Sequence, residues 1–274
     1  MNLATSLEMA VCTDPGAIRS HNEDAVFADA GLGVAILADG MGGYNAGEVA
    51  SGMATTRLAA DLGRVIATGL AQDTRCVFDA AEVEQHIVNE VEAANFSIFN
   101  ASRSEPAYAG MGTTLVVAWF YDNRMSVGHV GDSRLYRLRG DKFEQLTRDH
   151  SLLQEQLDNG MITPEEARFS GNRNLVTRAL GVEPVVAVEI HDFAVAPGDI
   201  VLLCSDGLND MVDDHDIGLA LQSLGGNLQL AADHLVQMAN ENGGRDNISV
   251  ILVKIRGDFA SRRGWWQRLL ARLK

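Results

Sequence analysis

Aromatic residues, paired cysteines and long apolar runs are all scarce in this 274-residue chain. Aromatics make up 6%, which argues against a surface that stacks nucleic-acid bases. The three cysteines include no C-x-x-C pair, and their odd number fits a reducing compartment. We find no signal-peptide pattern, and the longest apolar runs are too short to span a bilayer. These absences predict a cytoplasmic protein without a nucleic-acid partner.

Basic residues are also scarce over most of the chain, whose formal net charge is −15. Six of the 22 basic residues but one of the 37 acidic residues lie from Arg256 onward. The remainder of the chain is therefore strongly acidic and would repel a polyanion such as DNA. Clustered acids are, however, the ligands that hard divalent cations require.

The hydrophobic pattern predicts a large domain with two packed antiparallel sheets and helices on the outside. Strand-like runs occur in clusters, with helices grouped between them. One helix is predicted from about Ala46 and another from the N-cap Asp79, which forms a capping-box-like pair with Glu82. The short link Asp122-Asn123 between two strand-like runs predicts a hairpin.

Residues 148–184 differ, being polar and short of strands, and Thr163-Pro164 predicts a helix start within them. The composition changes after Gly257, so we assign residues 1–256 to the domain and residues 257–274 to a tail.

Two apolar strands end in the same dipeptide, Asp39-Gly40 and Asp206-Gly207. An aspartate at the end of a buried strand has a rigid support, and the glycine permits close backbone approach. Either pair alone is more often an ordinary turn. Further acids at predicted strand ends shift that balance toward a metal site, and these are Glu23, Asp24, Asp132 and Asp246. An oxygen-only ligand set selects Mg²⁺ or Mn²⁺.

These acids lie in short motifs that follow one another along the chain. The motifs are Arg19-Ser20-His21-Asn22-Glu23-Asp24, Ala38-Asp39-Gly40-Met41-Gly42-Gly43, Gly47-Glu48-Val49-Ala50-Ser51, Met111-Gly112-Thr113-Thr114, Val130-Gly131-Asp132-Ser133-Arg134, Ser205-Asp206-Gly207-Leu208 and Asp246-Asn247-Ile248. In this order and spacing they resemble the PP2C (PPM) family of metal-dependent protein phosphatases, in its compact bacterial form. The resemblance runs from residue 16 to about residue 253. It implies an α+β fold, with a central antiparallel β-sandwich flanked by helix pairs (α-β-β-α) and a flap insertion near 148–184.

The resemblance also implies a reaction, the hydrolysis of phosphoserine and phosphothreonine by a hydroxide that bridges two metal ions. Asp39 would bridge these core Mn²⁺ or Mg²⁺ ions, and the backbone carbonyl of Gly40 would complete one site. Asp206 and Asp246 would hold the other ion. The expected partners are phosphorylated proteins, and the opposing enzymes would be bacterial Ser/Thr kinases.

Five further side chains receive roles around this core. Glu23 and Asp24 would act through metal-bound water, and Asp132 would bind a third, more labile ion next to Asp206, with Asp210 assisting. Arg19 matches the arginine that binds phosphate in the family. Its planar guanidinium fits two phosphate oxygens and stays charged at any working pH, whatever the family.

One position departs from many eukaryotic members, which carry a histidine directly after the first Asp-Gly as the proposed general acid. Met41 stands there in this chain, so the leaving alcohol must receive its proton from metal-bound water or from another group. Two other functions are compatible with the motifs: an inactive scaffold that binds phosphoproteins, and a phosphatase of a small phosphorylated molecule. The intact Asp39, Asp206 and Asp246 argue against the scaffold, because clustered carboxylates are costly to retain.

The tail carries a basic amphipathic pattern over residues 261–274. As a helix, it would place tryptophan and leucine on one face and arginine and lysine largely opposite. Two interpretations have equal weight: a terminal helix packed on the domain, or a segment that docks weakly on a protein or on the inner face of the membrane. We expect the protein to be a monomer.

Overall fold

The computed structural model describes residues 3–43, 46–72, 78–167 and 175–261. Its strands are β1 (Leu7–Asp14), β2 (Asp24–Asp29), β3 (Val34–Met41), β4 (Gly112–Thr113), β5 (Leu115–Tyr121), β6 (Arg124–Val130), β7 (Arg134–Arg139), β8 (Lys142–Gln145), β9 (Glu189–Ala194), β10 (Ile200–Cys204) and β11 (Ile248–Ile255). Its α-helices are α1 (Ala46–Gln72), α2 (Ala80–Ser104), α3 (Leu152–Asp158), α4 (Pro164–Ala167), α5 (Asp206–Asn209), α6 (Asp214–Leu224) and α7 (Leu228–Glu241).

The strands form two sheets in which every pairing is antiparallel. The first sheet has the order β1-β11-β10-β7-β8. The second has the order β2-β3-β5-β6-β9, with β4 paired to β3. The chain crosses between the sheets several times, so residues distant in sequence meet at the sheet ends.

The two sheets pack face to face, and each has a helix pair on its outer face. On β3, Leu37 points into the layer between the sheets, whereas Ile36 packs toward α1 and α2. On β10, Leu203 faces that same inner layer and Leu202 packs toward α6 and α7. Because both faces are buried, these strands are apolar throughout instead of alternating. The α-β-β-α sandwich expected from the sequence is confirmed.

Local signals explain where several elements begin and turn. The Asp79 side chain accepts a hydrogen bond from Glu82 N, and the Glu82 carboxylate accepts one from Asp79 N, which starts α2 with the predicted capping box. Asp122 and Asn123 have φ of +42° and +56°, the left-handed pair that a two-residue hairpin needs between β5 and β6. Several elements of the described chain have no counterpart in the sequence prediction, among them β8, β9, α3, α5 and α6.

The insertion at 148–184 contains α3 and α4, and its residues 168–174 lie outside the described part of the chain. The predicted helix start at Thr163 is present, with the Thr163 hydroxyl accepting from Glu166 N. Near the other end of the chain, Phe259 is buried between the sheets and Ser261 N donates to Asp122. Packing therefore continues past residue 256, while 262–274, nearly all of the predicted amphipathic tail, lies outside the described residues. Within the described chain, no helix combines the length and the apolar character that crossing a membrane requires.

Candidate functional site

Asp39 and Asp24 face each other across the paired ends of two strands in the second sheet. They are direct partners in the β2–β3 register. The backbone of Asp39 is fixed by Thr114, whose hydroxyl accepts from Asp39 N at 3.0 Å and whose own N–H donates to Asp39 O at 2.9 Å. Gly40 follows where a Cβ would lie 2.2 Å from Gly47 O, so only glycine fits.

Asp206 and Asp246 come from neighbouring strands of the first sheet. Asp206 begins α5 directly after β10, and Asp246 lies two residues before β11. Their loops touch at Gly207, where a Cβ would lie 2.0 Å from Asn247 O. The glycine of each Asp-Gly pair thus permits close backbone contact, as the sequence predicted. At Gly207 this contact places the loop of Asp206 against the loop of Asp246.

Asn247 ties the loop of residues 15–23 to this end of the sandwich. Its Oδ1 accepts from Glu23 N at 2.8 Å, and its Nδ2 donates to Pro15 O and His21 O. This amide therefore positions Arg19 and Glu23 relative to Asp246. The backbone of His21, rather than its exposed side chain, makes this contact.

A serine connects the acids of the two sheets. The Ser205 hydroxyl donates to Asp24 Oδ2 at 2.8 Å and accepts from Ser249 N at 2.9 Å. The other oxygen, Asp24 Oδ1, is buried and has no hydrogen-bond partner among the described residues. An orphaned carboxylate oxygen in an acidic, buried position is a suitable ligand for a cation.

The buried acids raise one another's pKa. Burial, followed by the charges of Asp24 and Asp206, holds the pKa of Asp39 well above its usual value. Burial, followed by the charges of Asp132 and Asp210, does the same to the pKa of Asp206. Such mutual repulsion requires the charges to lie close together, and a bound divalent cation would relieve it. The structure thus brings Asp24, Asp39, Asp132, Asp206 and Asp246 to one place.

The carboxylates of these aspartates are nevertheless widely spaced. Across the described ranges, no three of these aspartates place one carboxylate oxygen each within 4.8 Å of one another. This spacing is wider than the ligand sphere of a single ion. The fit to cations rests instead on the chemistry of the donors, which are all oxygens as Mg²⁺ and Mn²⁺ prefer, and on the unpartnered Asp24 Oδ1.

Asp132 and Asp210 lie on the side of the site that opens into a cleft of about 430 Å³. Asp206 lines this cleft as well, so it joins the buried set to the open side. Burial, followed by the charge of Asp149, raises the pKa of Asp132 to about 6. Asp149 is itself held by a bidentate ion pair with Arg134.

Arg19 lies at the mouth of the site. Its Nη2 donates to Asp246 Oδ2 at 2.8 Å, and its side chain is 53% exposed. The hydrogen bond to Asp246 and the negative charges of Asp246, Glu23 and Asp206 raise the pKa of this guanidinium. A cation that is exposed yet anchored beside the acids can receive a bound anion.

Comparison with known proteins agrees with this geometry. The profile of the protein phosphatase 2C family matches residues 18–250, most of the chain. The chain belongs to the PP2C family of protein phosphatases. The protein phosphatase PhpP of Streptococcus pneumoniae is 37% identical over 259 residues, which cover 93% of this chain and all of PhpP. The serine/threonine phosphatase stp of Listeria monocytogenes is 40% identical over 245 residues, covering 88% and 93% of the two chains.

Solved structures extend this likeness to the fold. The serine/threonine phosphatase PstP/Ppp of Mycobacterium tuberculosis has a TM-score of 0.81 at 36% identity, covering 92% of this chain and all of that one. The catalytic domain of PstP, solved in complex with two manganese ions, has a TM-score of 0.78 at 36% identity, with coverage of 92% and 99%. The PP2C fold and the hydrolase class expected from the sequence are thus confirmed.

The residues that support the acids in this PP2C phosphatase were not assigned roles from the sequence. Thr114, Ser205 and Asn247 each adjoin or contact a predicted acid, and Ser133 shares a hydrogen bond of 2.7 Å with Thr114. All four stand inside the motifs that carried the resemblance. Their position beside each acid was the available signal, but their partners depend on strand register and on contact between loops.

The buried acids predict how the stability of the metal-free protein depends on pH. Burial raises the pKa of Asp24 to about 6 against the hydrogen bonds from Ser249 and Ser205, and the pKa of Asp132 is also about 6. Between about pH 4 and pH 6 the folded state then binds more protons than the unfolded state, whose aspartates titrate near 3.9. Stability should fall as the pH rises through this range. In EDTA, we expect a Tm several degrees higher at pH 5 than at pH 7.5, by differential scanning fluorimetry.

Saturating Mn²⁺ should reverse this trend, because a cation binds only deprotonated carboxylates. Glu189 contributes little to this trend, because hydrogen bonds from His191 and His150 lower its pKa to about 2 despite its burial and it stays charged from pH 5 to 7.5. A Tm in EDTA that is constant or rises over that interval would contradict the assignment of raised pKa values to Asp24 and Asp132.

Proposed function

We propose that this protein hydrolyses phosphoserine and phosphothreonine in other proteins with the help of divalent cations. The observation that carries the proposal is the convergence of aspartates from both sheets at a partly buried site, with one carboxylate oxygen of Asp24 left without a partner among the described residues. The names of the relatives, which include serine/threonine phosphatases, support this substrate class. PstP with two manganese ions supports a cation pair, of Mn²⁺ or Mg²⁺.

The residues that would hold the two core ions are Asp39, Asp206 and Asp246, together with the backbone carbonyl of Gly40. The raised pKa values of Asp39 and Asp206 support this assignment, because burial and neighbouring carboxylates disfavour their charged forms and a bound cation would offset that cost. When bound, such ions act as Lewis acids and lower the pKa of a coordinated water. The protein's part is to hold the carboxylates apart and rigid, through Thr114 for Asp39 and through Asn247 for Asp246.

Around this core, we propose that Glu23 and Asp24 bind through water and that Asp132, assisted by Asp210, holds a third cation. The position of Asp132 and Asp206 on the same cleft supports a shared ion there. Arg19 is the proposed phosphate anchor, since its guanidinium lies beside Asp246 with half of its surface open to solvent. It would orient the phosphoryl group toward the carboxylate cluster and offset part of the repulsion between them.

The substrates of such a phosphatase are products of serine/threonine kinases, and we propose that a bacterial kinase of this class opposes it. We also propose a cytoplasmic, monomeric protein. Residues 261–274 would add a weak docking segment for a protein or for the inner membrane face, from their basic and amphipathic sequence alone. For the flap at 148–184 we propose contact with substrate, since Asp149 and Ser151 of this segment line the acidic cleft.

A single assay tests the metal requirement and the enzyme class together. We expect hydrolysis of p-nitrophenyl phosphate with Mn²⁺ and background rates with excess EDTA or in Asp206→Asn, because EDTA removes the cations and the substitution removes a proposed ligand. Rates that are equal in the three samples would reject the metal-dependent mechanism. The exposed Asp141→Asn provides a matched charge control that should retain the full rate.

Substrate comparison separates the remaining alternatives. Phosphothreonine and phosphoserine peptides should be turned over with higher kcat/KM than phosphotyrosine peptides or small phosphorylated metabolites. A preference for the metabolites would support the small-molecule alternative. Binding of phosphopeptides without turnover in Mn²⁺ or Mg²⁺ would support the inactive scaffold.

A further inference from the structure

Two buried histidines lie beside the loop that carries Asp132. His129 belongs to β6, and His150 follows β8 at the start of the 148–184 segment. Their rings stack with centroids 4.7 Å apart and an interplanar angle of 15°. Neither takes part in the proposed cation site, so their burial calls for another explanation.

The contacts of His150 define which ring nitrogen carries its proton. Gly131 N donates to His150 Nδ1 at 3.1 Å, so Nδ1 is the acceptor. Nε2 then bears the hydrogen and donates to Glu189 Oε2 at 3.2 Å. Glu189 also accepts from His191 Nε2 at 2.8 Å, which fixes the carboxylate that orients the ring.

His150 holds the Gly131 peptide from two directions. Its ring accepts from Gly131 N, and its own backbone N–H donates to Gly131 O at 2.9 Å. Gly131 has φ of +108°, and a Cβ there would lie 2.7 Å from the Thr114 side chain. The peptide that leads into Asp132 is therefore confined between Thr114 on one side and His150 on the other.

This arrangement also joins the Asp132 loop to the 148–184 segment. His150 O accepts from Thr177 N at 2.8 Å, and Leu152 N donates to Leu175 O at 2.9 Å. The two described parts of the segment, 148–167 and 175–184, thus meet at His150. A displacement of the segment would be transmitted through this residue to Gly131.

His129, His150 and Glu189 place ligand atoms within 4.8 Å of one another, which is compatible with a metal site. The contacts favour a hydrogen-bonded clamp instead. Both ring nitrogens of His150 already have partners, and Arg178 Nη1 lies 3.5 Å from Nε2. A second cation would have to displace these bonds beside a fixed guanidinium charge.

We propose that His150 is a positioning residue for Asp132, which it holds in place through the Gly131 peptide. The inference rests on the proposed function, in which Asp132 binds the third cation. The side chain of His150 touches neither substrate nor cation in this scheme. Its contribution is to restrict the backbone that presents the Asp132 carboxylate, in the way that outer partners tune metal ligands.

Two amide variants of the full-length protein separate the two ring nitrogens. His150→Asn keeps an acceptor near the position of Nδ1, and His150→Gln places its amide near the position of Nε2. Mn²⁺ binding by isothermal titration calorimetry is the readout, and Asp132→Asn identifies the component that depends on Asp132. We expect His150→Gln to weaken that component about tenfold and His150→Asn to weaken it less than about threefold. The tighter components should not change.

The double variant His150→Gln/Asp132→Asn should match Asp132→Asn alone, because His150 acts through Asp132. Equal effects of Asn and Gln, an additive double variant or a uniform loss at all sites would overturn the proposal. Glu189→Ala, at a partly exposed residue, removes the carboxylate that orients the His150 ring but keeps the imidazole. It should therefore weaken the same Mn²⁺-binding component. A wild type that binds no Mn²⁺ would instead reject the proposed function, whatever the His150 variants do.

Discussion

Asp39→Asn is expected to lower phosphatase activity by at least about a thousandfold while raising the Tm of the metal-free protein. A cation pair supplies several kcal/mol of transition-state stabilisation, and each 1.36 kcal/mol corresponds to a tenfold change in rate. Asparagine keeps the shape of the side chain but offers a weaker, neutral ligand. In the absence of metal the same change removes a buried charge that Asp24 and Asp206 repel, so the folded state should gain stability.

The opposite signs distinguish a ligand from a structural aspartate. Activity should be measured with Mn²⁺ on a phosphothreonine peptide, and Tm should be measured in EDTA and in Mn²⁺ at pH 7.5. The variant should also lose the rise in Tm that Mn²⁺ gives the wild type. Asp141→Asn, at an exposed turn, serves as the matched control and should change neither property. A lower Tm in EDTA together with retained activity would exclude Asp39 from the centre.

Arg19→Ala is expected to lower kcat/KM for phosphopeptides by about 10- to 100-fold while Mn²⁺ still binds. A charge-assisted hydrogen bond contributes about 1.5–3 kcal/mol, which corresponds to this range. Removing a cation that lies 2.8 Å from Asp246 Oδ2 should not weaken cation binding, since it frees a ligand oxygen. Arg19→Lys should recover part of the loss, because lysine restores the charge but not the planar fork.

Arg245→Ala is the matched control for Arg19, since Arg245 is an exposed arginine next to Asp246 in sequence. Its removal should leave kcat/KM within about twofold, because its side chain has no assigned role in the site. Steady-state kinetics and calorimetric Mn²⁺ titration on the same preparations provide both readouts. Unchanged KM and kcat in Arg19→Ala would refute the phosphate-anchor role, and a loss of Mn²⁺ affinity would make Arg19 a structural partner of Asp246.

The acids of the site could be predicted because each stands at a strand end with a recognisable local sequence. Asp39 and Asp206 stand at the ends of apolar strands and precede glycine. The structure requires those glycines because a Cβ at either position would lie 2.0–2.2 Å from a backbone carbonyl oxygen. The Asp79–Glu82 capping box and the Asp122-Asn123 hairpin were predicted for the same reason, since a few adjacent residues determine them.

What the sequence did not indicate depends on contacts between distant segments. The clamp of His150 on Gly131 joins residues 19 positions apart, and the amide of Asn247 reaches Glu23 across 224 positions. Strand β9 mixes acidic, basic and apolar residues over six positions, so its own sequence does not indicate a strand. Its backbone pairing with β6 makes it one. The composition indicated that a tail starts at residue 257, but Phe259 packs in the domain although charged residues lie near it in sequence.

The two halves of the proposed cation centre belong to different sheets. Asp24 and Asp39 belong to one sheet, whereas Asp206 follows β10 and Asp246 precedes β11 of the other. The apolar layer that contains Leu37 and Leu203 sets the distance between the two pairs. That layer therefore separates one pair of aspartates from the other. A change of volume in it, far from any phosphate, would shift one pair of carboxylates against the other. Catalytic rate in this fold therefore reports on interior packing, and a variant can become inactive with all of its ligands intact.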